Sequence, residues 1–321
     1  MADAPRKVAT RAAYGRALVK LGEANPDVVV LDADLAKSTK TDEFAARFPD
    51  RFFDMGIAEA DMMGTAAGFA ASGKIPFAST FAVFATGRAF DQVRQVIGYT
   101  GLNVKICATH GGITVGEDGA SHQSVEDVAL MRAVPGMTVV VPADAVETEK
   151  AVFAAARHKG PVYMRFGRSG VPVIFDEGYE FEIGRAALLR EGGDVTLIAC
   201  GALVSSCLEA ASRLAAESGV SARVLNMATI KPADDEAVIA AARETGAIVT
   251  AEEHSVIGGL GSAVCEITAE RCPVPVERVG IRDAFGQSGT AEELLRAYGL
   301  LPDDIVKAAL RAVRRKRGVS T

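Results

Sequence analysis

The chain has 321 residues, of which 49% are hydrophobic and 24% charged, the make-up of a globular protein long enough for two cores. Its formal net charge of -6 gives no broad electrostatic attraction to nucleic acid or to anionic membrane, so neither is expected as a partner. Residues 1–11 carry no apolar segment of signal-peptide type, and no stretch reaches the roughly 18 uninterrupted apolar residues of a membrane span, which points to a cytoplasmic location.

Apolar, β-rich runs alternate with helix-period segments along the chain. Val28–Leu31, Ile75–Phe77, Val104–Cys107, Met137–Val141 and Val162–Arg165 read as strands. Hydrophobicity that is continuous and not alternating marks strands covered on both faces, and strand–helix alternation implies a parallel, doubly wound sheet. Residues 1–170 are therefore expected to form a first α/β domain. Around Gly167 to Glu182 the alternation breaks, with Gly170, Pro172, Gly178 and several charges, and residues 171–185 read as a linker. A second series follows over 186–321: strands Val195–Ala199, Ala222–Leu225, Ile248–Ala251 and Val274–Val279, helices Ser205–Ser218 and Asp235–Thr245, a helix from Gly261, and closing helices over Ala291–Arg315. The expected fold class is thus α/β, with two doubly wound domains and mostly parallel sheets. The basic run Arg314, Arg315, Lys316, Arg317 ends the last helix, where cations oppose the macrodipole, and reads as a solvated helix end. Five cysteines (Cys107, Cys200, Cys207, Cys265, Cys272) with no CxxC pair read as reduced core residues, not as a disulfide framework or a metal site.

Three segments carry candidate chemistry. In Asp54-Met55-Gly56-Ile57-Ala58-Glu59-Ala60-Asp61-Met62-Met63-Gly64, Glu59 opens an otherwise small and apolar helix; its plain reading is a complement to the helix dipole, worth about 0.3–1 kcal/mol. In Ser79-Thr80-Phe81-Ala82-Val83-Phe84, the two phenylalanines fall three apart where a strand ends, a spacing that core packing also produces. The third segment, Thr109-His110 through Gly116-Glu117-Asp118-Gly119-Ala120-Ser121-His122-Gln123, follows a strand directly and gathers two of the four histidines and two acids in one glycine-rich loop. Ligands of open α/β sheets bind beyond the C-terminal ends of the strands, where this loop lies.

In order and spacing these segments resemble the pyrimidine-binding domain of transketolases. Residues 190–310 resemble the family's C-terminal domain through Ala251-Glu252-Glu253-His254, Ile257-Gly258-Gly259-Leu260-Gly261-Ser262-Ala263-Val264 and Phe285-Gly286-Gln287-Ser288-Gly289. The glycine run opens a helix, but it lacks the GxGxxG order of a phosphate loop, and close helix packing accounts for it better. The resemblance implies thiamine diphosphate as cofactor. Glu59 would hydrogen-bond its aminopyrimidine ring, in an apolar setting from Met62 and Met63, and Phe81 and Phe84 would stack on that ring. Gly87 stands where the family has a third aromatic. Asp34, in Ala33-Asp34-Leu35-Ala36-Lys37-Ser38, is counted with the cofactor side. Asp118 and His122 would meet sugar hydroxyls, with His122 also counted as catalytic, and Arg11, Ser38, His110 and Arg168 would grip a sugar phosphate.

The family holds its diphosphate through Mg2+ on a GDG motif with downstream asparagines, and no GDG occurs in this sequence. No metal ligand is therefore assigned here. The expectation is a subunit of a split transketolase transferring a two-carbon ketol unit from a ketose to an aldose, free or phosphorylated. It would share thiamine diphosphate with a separate N-terminal subunit that holds Mg2+, would dimerise, most simply within an α2β2 assembly, and would be inactive alone. Three alternatives share features with it: the beta subunit of a 2-oxoacid dehydrogenase, a half enzyme like deoxyxylulose phosphate synthase, and a non-catalytic scaffold subunit.

Overall fold

Strands buried along their whole length, such as Val28–Asp32, Lys105–Thr109 and Val195–Ala199, lie inside two sheets in the computed structural model, which describes residues 6–318. The first sheet has seven strands in the order Thr229–Lys231, Thr138–Val140, Val162–Arg165, Lys105–Thr109, Ile75–Phe81, Val28–Asp32 and Phe52–Asp54. The second has five, in the order Val276–Ile281, Ile248–Ser255, Val195–Ala199, Ala222–Asn226 and Ala187–Arg190. All pairings within the two sheets are parallel except at one edge of each, where Thr229–Lys231 and Ala187–Arg190 run antiparallel.

Several elements differ from the sequence reading. The strand read as Ile75–Phe77 extends to Phe81, because Ala78, Ser79 and Thr80 continue the buried ladder although two of them are polar. The strand read as Ile248–Ala251 runs on to Ser255 through two glutamates and a histidine. Thr229–Lys231 lies well inside the stretch assigned to the second domain, yet it pairs with Val139 and Val140 of the first sheet. The division at 171–185 therefore separates the bulk of the two sheets but not every strand. Within that linker region, Gly170–Pro172 pairs antiparallel with Lys7–Ala9 and clips the start of the described chain to the domain junction. The basic run is exposed, but Arg315 donates to Glu277 (2.8 Å) and Lys316 to the Thr245 carbonyl (2.6 Å), so it also docks the last helix on the second sheet. All five cysteines are free thiols, three of them buried. Among the described residues no helix is long and apolar enough to cross a membrane.

The two domains meet through buried polar groups. Arg165, at the end of its strand, donates from Nε to Asp127 (2.8 Å) and from Nη2 to the carbonyls of Glu253 (2.9 Å) and Ser124 (3.3 Å). The Tyr163 hydroxyl donates to the same Asp127 oxygen at 2.6 Å. Glu253, on the second sheet, returns across the boundary and accepts the Thr114 amide at 2.7 Å, while burial pushes its carboxyl above the usual range. Its neighbour Glu252 accepts the amides of Leu260 (2.7 Å) and Gly261 (2.8 Å) at the start of the helix Leu260–Arg271. A Cβ on Gly259 would lie 2.0 Å from that carboxylate, so the glycine run serves close packing, and an internal carboxylate already fills the helix N-terminus.

Removing one member of a buried ion pair leaves the other charge without compensation, which costs about 3–5 kcal/mol. Arg165→Met should therefore lower the unfolding free energy by about that amount, and adding Asp127→Asn should recover part of it. Urea unfolding of the single and double variants checks this; additive losses would mean that the two charges do not stabilise each other.

Candidate active site

Glu59 is the first residue of the helix Glu59–Ala71, whose Met62 and Met63 are fully buried against the first sheet and draw its N-terminus inward. The carboxylate is in consequence only 1% exposed. Its partner is Arg88, which the sequence reading missed: Nη1 lies 3.0 Å from each of the two carboxylate oxygens. Arg88 ends a π-helical segment, Phe84–Arg88, that follows the strand Ile75–Phe81. Wider π turns often accompany functional positions, and here the turn lays the Arg88 guanidinium 4.6 Å from the centre of the Phe84 ring. A Cβ on the adjoining Gly87 would meet nothing within 4 Å, so the missing third aromatic leaves open space.

Four rings gather beside this pair. Phe81 and Phe84 are near-parallel at 5.8 Å, His110 stacks on Phe81 at 3.8 Å, and His122 meets Phe84 edge-on at 5.6 Å. Phe81 is 6% exposed with one face against His110, so Phe84 is the more accessible of the two phenylalanines. His110 Nε2 lies 3.4 Å from Arg11 Nη1. A guanidinium can only donate, so Nε2 accepts and Nδ1 carries the proton towards Thr109 Oγ1, 2.8 Å away. Burial, reinforced by Arg11, Arg168 and His122, pulls the His110 pKa down to about 3, so the ring is neutral at physiological pH. Arg11 also donates to the Ser38 carbonyl at 2.8 Å, which joins Arg11, Ser38 and His110 at one edge of the cluster.

The loop holding Asp34 and Ser38 is pinned from below by Asp32, a second residue absent from the sequence reading. Asp32 accepts the Leu35 amide (2.6 Å) and the Thr39 (2.6 Å) and Thr41 (2.8 Å) hydroxyls. Burial lifts its pKa to about 6 against the opposing pull of those donors. Asp34 itself has φ 60° and an exposed side chain, and its amide donates to Asp54. Its side chain makes no hydrogen bond or ion pair with the ring cluster, and Ser38 joins the cluster only through its carbonyl.

Asp118 and Arg168 occupy the rim. Arg168 lies 3.2 Å from Glu117 and 4.0 Å from Asp118 and donates to the Val115 carbonyl, so in this state it braces the histidine loop. Gln123 clamps the same loop by donating to the carbonyls of Ile113 (3.2 Å), Gly116 (3.1 Å) and Gln287 (2.9 Å), the last from the second domain. Gly119 must be glycine here: its φ is 75°, and a Cβ would lie 2.6 Å from Ser288 Oγ. Two clefts of ≈ 910 and ≈ 830 Å³ lie along the linker and the domain junction, and Glu59, Phe84 and His122 line neither. The chemistry converges on the ring cluster, a buried carboxylate joined through Arg88 to a partly exposed phenylalanine with two imidazoles alongside, and we take that as the site.

Comparison with known proteins agrees with the geometry. Residues 6–173 match the transketolase pyrimidine-binding domain and residues 184–305 the transketolase C-terminal domain. The chain is 47% identical over 309 residues to a putative transketolase C-terminal section of Methanocaldococcus jannaschii, covering 95% of this chain and 96% of that protein. It is equally 47% identical, over 306 residues and 95% of both chains, to a 6-deoxy-6-sulfo-D-fructose transketolase subunit of a Clostridium species. Among solved structures, one described as a split gene transketolase, inactive beta4 tetramer, is 58% identical with a TM-score of 0.91, covering 97% of this chain and 100% of that one. With both domain types matched in sequence and the fold matched in structure, the chain belongs to the transketolase family.

Proposed function

We propose that this chain is the cofactor-activating and sugar-binding subunit of a thiamine diphosphate-dependent ketol transferase, and that a separate subunit completes it. The observation that carries the reading is the buried Glu59 carboxylate joined through the half-exposed Arg88 side chain to the partly exposed Phe84 ring. These groups fit an aminopyrimidine: a carboxylate to share a proton with a ring nitrogen, an aromatic plane to stack on, and open space beside Gly87. When bound, the cofactor supplies the electron sink that no side chain can offer. This chain's contribution is then to orient the ring through Phe84, to hold a proton between a Glu59 oxygen and the ring, and to exclude water through the Phe81, His110 and His122 cluster. Asp118 and His122 would bind sugar hydroxyls. Arg11, with Ser38 and the neutral His110 beside it, would receive the anionic end of a ketose phosphate donor or an aldose phosphate acceptor, and Arg168 would join by exchanging its loop acids for that anion.

Among the described residues no group of three or more His, Cys, Asp or Glu is arranged to hold a metal ion. On this reading Mg2+ and the diphosphate belong to a partner subunit, most simply in an α2β2 assembly. Support for a partner comes from relatives named as a section, as a subunit, and as an inactive tetramer of beta chains.

Glu59→Gln tests the central assignment. General acid–base groups contribute roughly 10²–10⁴-fold, so ketol transfer by the reconstituted complex should fall by about 100-fold or more. Circular dichroism should stay unchanged, and near-wild-type turnover would remove Glu59 from the mechanism. The isolated chain should bind thiamine diphosphate weakly and turn nothing over, whereas mixing with a diphosphate-binding subunit should make Mg2+-dependent affinity and turnover appear together. Calorimetry and activity assays on the chain alone and on the mixture decide between this and a self-sufficient enzyme. A third outcome follows from the neutral His110. Its folded pKa is lowered, so between about 6.5 and about 3 the unfolded chain binds a proton that the folded chain refuses, and stability falls as pH drops through that window. His110→Gln should escape this loss, and its stability deficit relative to wild type should shrink by roughly 1–2 kcal/mol from pH 7 to pH 5. Denaturant titrations at the two pH values measure it, and a constant deficit would mean that His110 is not buried neutral.

A further inference from the structure

Arg88 and the cofactor ring, on the reading proposed above, want the same place. The guanidinium is planar, presents an N–H to both oxygens of Glu59, at 3.0 Å each, and lies 4.6 Å above Phe84. An aminopyrimidine recognised by the same carboxylate and the same ring would also be a flat group with an N–H edge on Glu59 and a face on Phe84. Two planes cannot share one aromatic face. We propose that Arg88 is a placeholder: it occupies the aminopyrimidine position in the subunit without cofactor, keeps the Glu59 carboxylate compensated there, and swings out when the ring enters.

Three features favour a displaceable contact over a permanent one. The exposures are unequal: the Glu59 side chain is 1% exposed and fixed by the helix it opens, whereas the Arg88 side chain is 51% exposed and has solvent to move into. The attachment is narrow, since among the described residues the hydrogen bonds of Arg88 all run from Nη1 to Glu59, and Nε and Nη2 make none. The neighbouring backbone is permissive, because Arg88 ends a π-helical turn and follows Gly87, beside which there is open space. A buried carboxylate with no cation would be costly to the subunit before assembly, and the arginine removes that cost without blocking later entry.

The test uses Arg88→Ala, Arg88→Gln and Arg88→Lys, each as the isolated chain and in complex with the diphosphate-binding subunit. A site occupied by its own side chain binds with an affinity reduced by the fraction of time it is free, so calorimetry on the Arg88→Ala and Arg88→Gln complexes should give thiamine diphosphate binding about tenfold tighter than wild type. Arg88→Lys keeps the charge but loses the plane, and should fall between. In the isolated chain, Arg88→Ala and Arg88→Gln should lower Tm, and millimolar 4-amino-5-hydroxymethyl-2-methylpyrimidine, the ring fragment alone, should restore part of the loss while leaving wild type unmoved. Equal or weaker cofactor binding by these complexes, or Tm losses that the fragment does not touch, would overturn the placeholder and make Arg88 a fixed or merely structural part of the site. A wild-type complex that binds no thiamine diphosphate would overturn the functional reading itself, and the placeholder with it. If Arg88→Ala fails to fold, Arg88→Gln and Arg88→Lys carry the same comparison.

Discussion

Arg165 cannot leave the interior without stranding Asp127, Tyr163 and the carbonyl of Glu253, and these groups belong to both domains. Burying a guanidinium is costly, and geometry this complete is what makes it tolerable. The consequence for the site is positional. Glu253 holds the Thr114 amide, and Thr114 lies within the turn Ile113–Val115 that leads to Gly116, Asp118 and His122. The histidine loop is thus anchored at its root by the second domain, through Glu253, and braced at its tip by Gln123, Arg168 and the second-domain carbonyl of Gln287. A second domain with no ring-cluster residue of its own still sets where the side chains of the histidine loop stand.

The electrostatics of the cluster follow from the same economy of partners. Arg11, Arg88 and Arg168 surround it, each with an acceptor already engaged: the Ser38 carbonyl, Glu59, and Glu117. His110 lies among these cations and is held neutral, which leaves Nε2 an acceptor facing Arg11. Cationic charge for an anionic ligand must then come from the arginines, while the imidazole contributes direction. Replacing His110 by a cation would crowd Arg11 and Arg168 and weaken the contact that aligns Arg11 with Ser38.

Much of the fold was legible because parallel strands covered on both faces leave an unmistakable local trace: five consecutive buried residues at Val28–Asp32, Lys105–Thr109 and Val195–Ala199. What escaped notice leaves no such trace. Thr229–Lys231 is three residues long and finds its partner in Thr138–Val140, some ninety positions away, a choice made by tertiary packing and not by periodicity. The candidate site divides in the same way. Glu59, Phe81, Phe84 and the histidine loop sit in patterned segments, whereas Arg88 and Asp32 act through pairings that spacing cannot reveal: Arg88 with a carboxylate 29 residues earlier, Asp32 with hydroxyls on a loop it was not known to support. The one available hint was physical. A lone arginine after two phenylalanines, near a carboxylate destined for burial, is a candidate for the compensating charge.

On the proposed reading, a subunit that carries half a site has a problem that a single-chain enzyme does not share in the same form: its buried carboxylate must be stable before the cofactor arrives. Here the site's groups engage one another: Arg88 covers Glu59, His110 covers Phe81, and Glu117 takes up Arg168. Each internal pairing stabilises the lone chain and opposes ligand entry by the same amount, because a ligand gains only its differential affinity for the rearranged state. Cofactor affinity in such a subunit is therefore set jointly by the new contacts and by the old ones given up. A partner surface that makes the rearranged state easier to reach would raise that affinity without touching the ring, which ties cofactor binding to assembly through linkage alone.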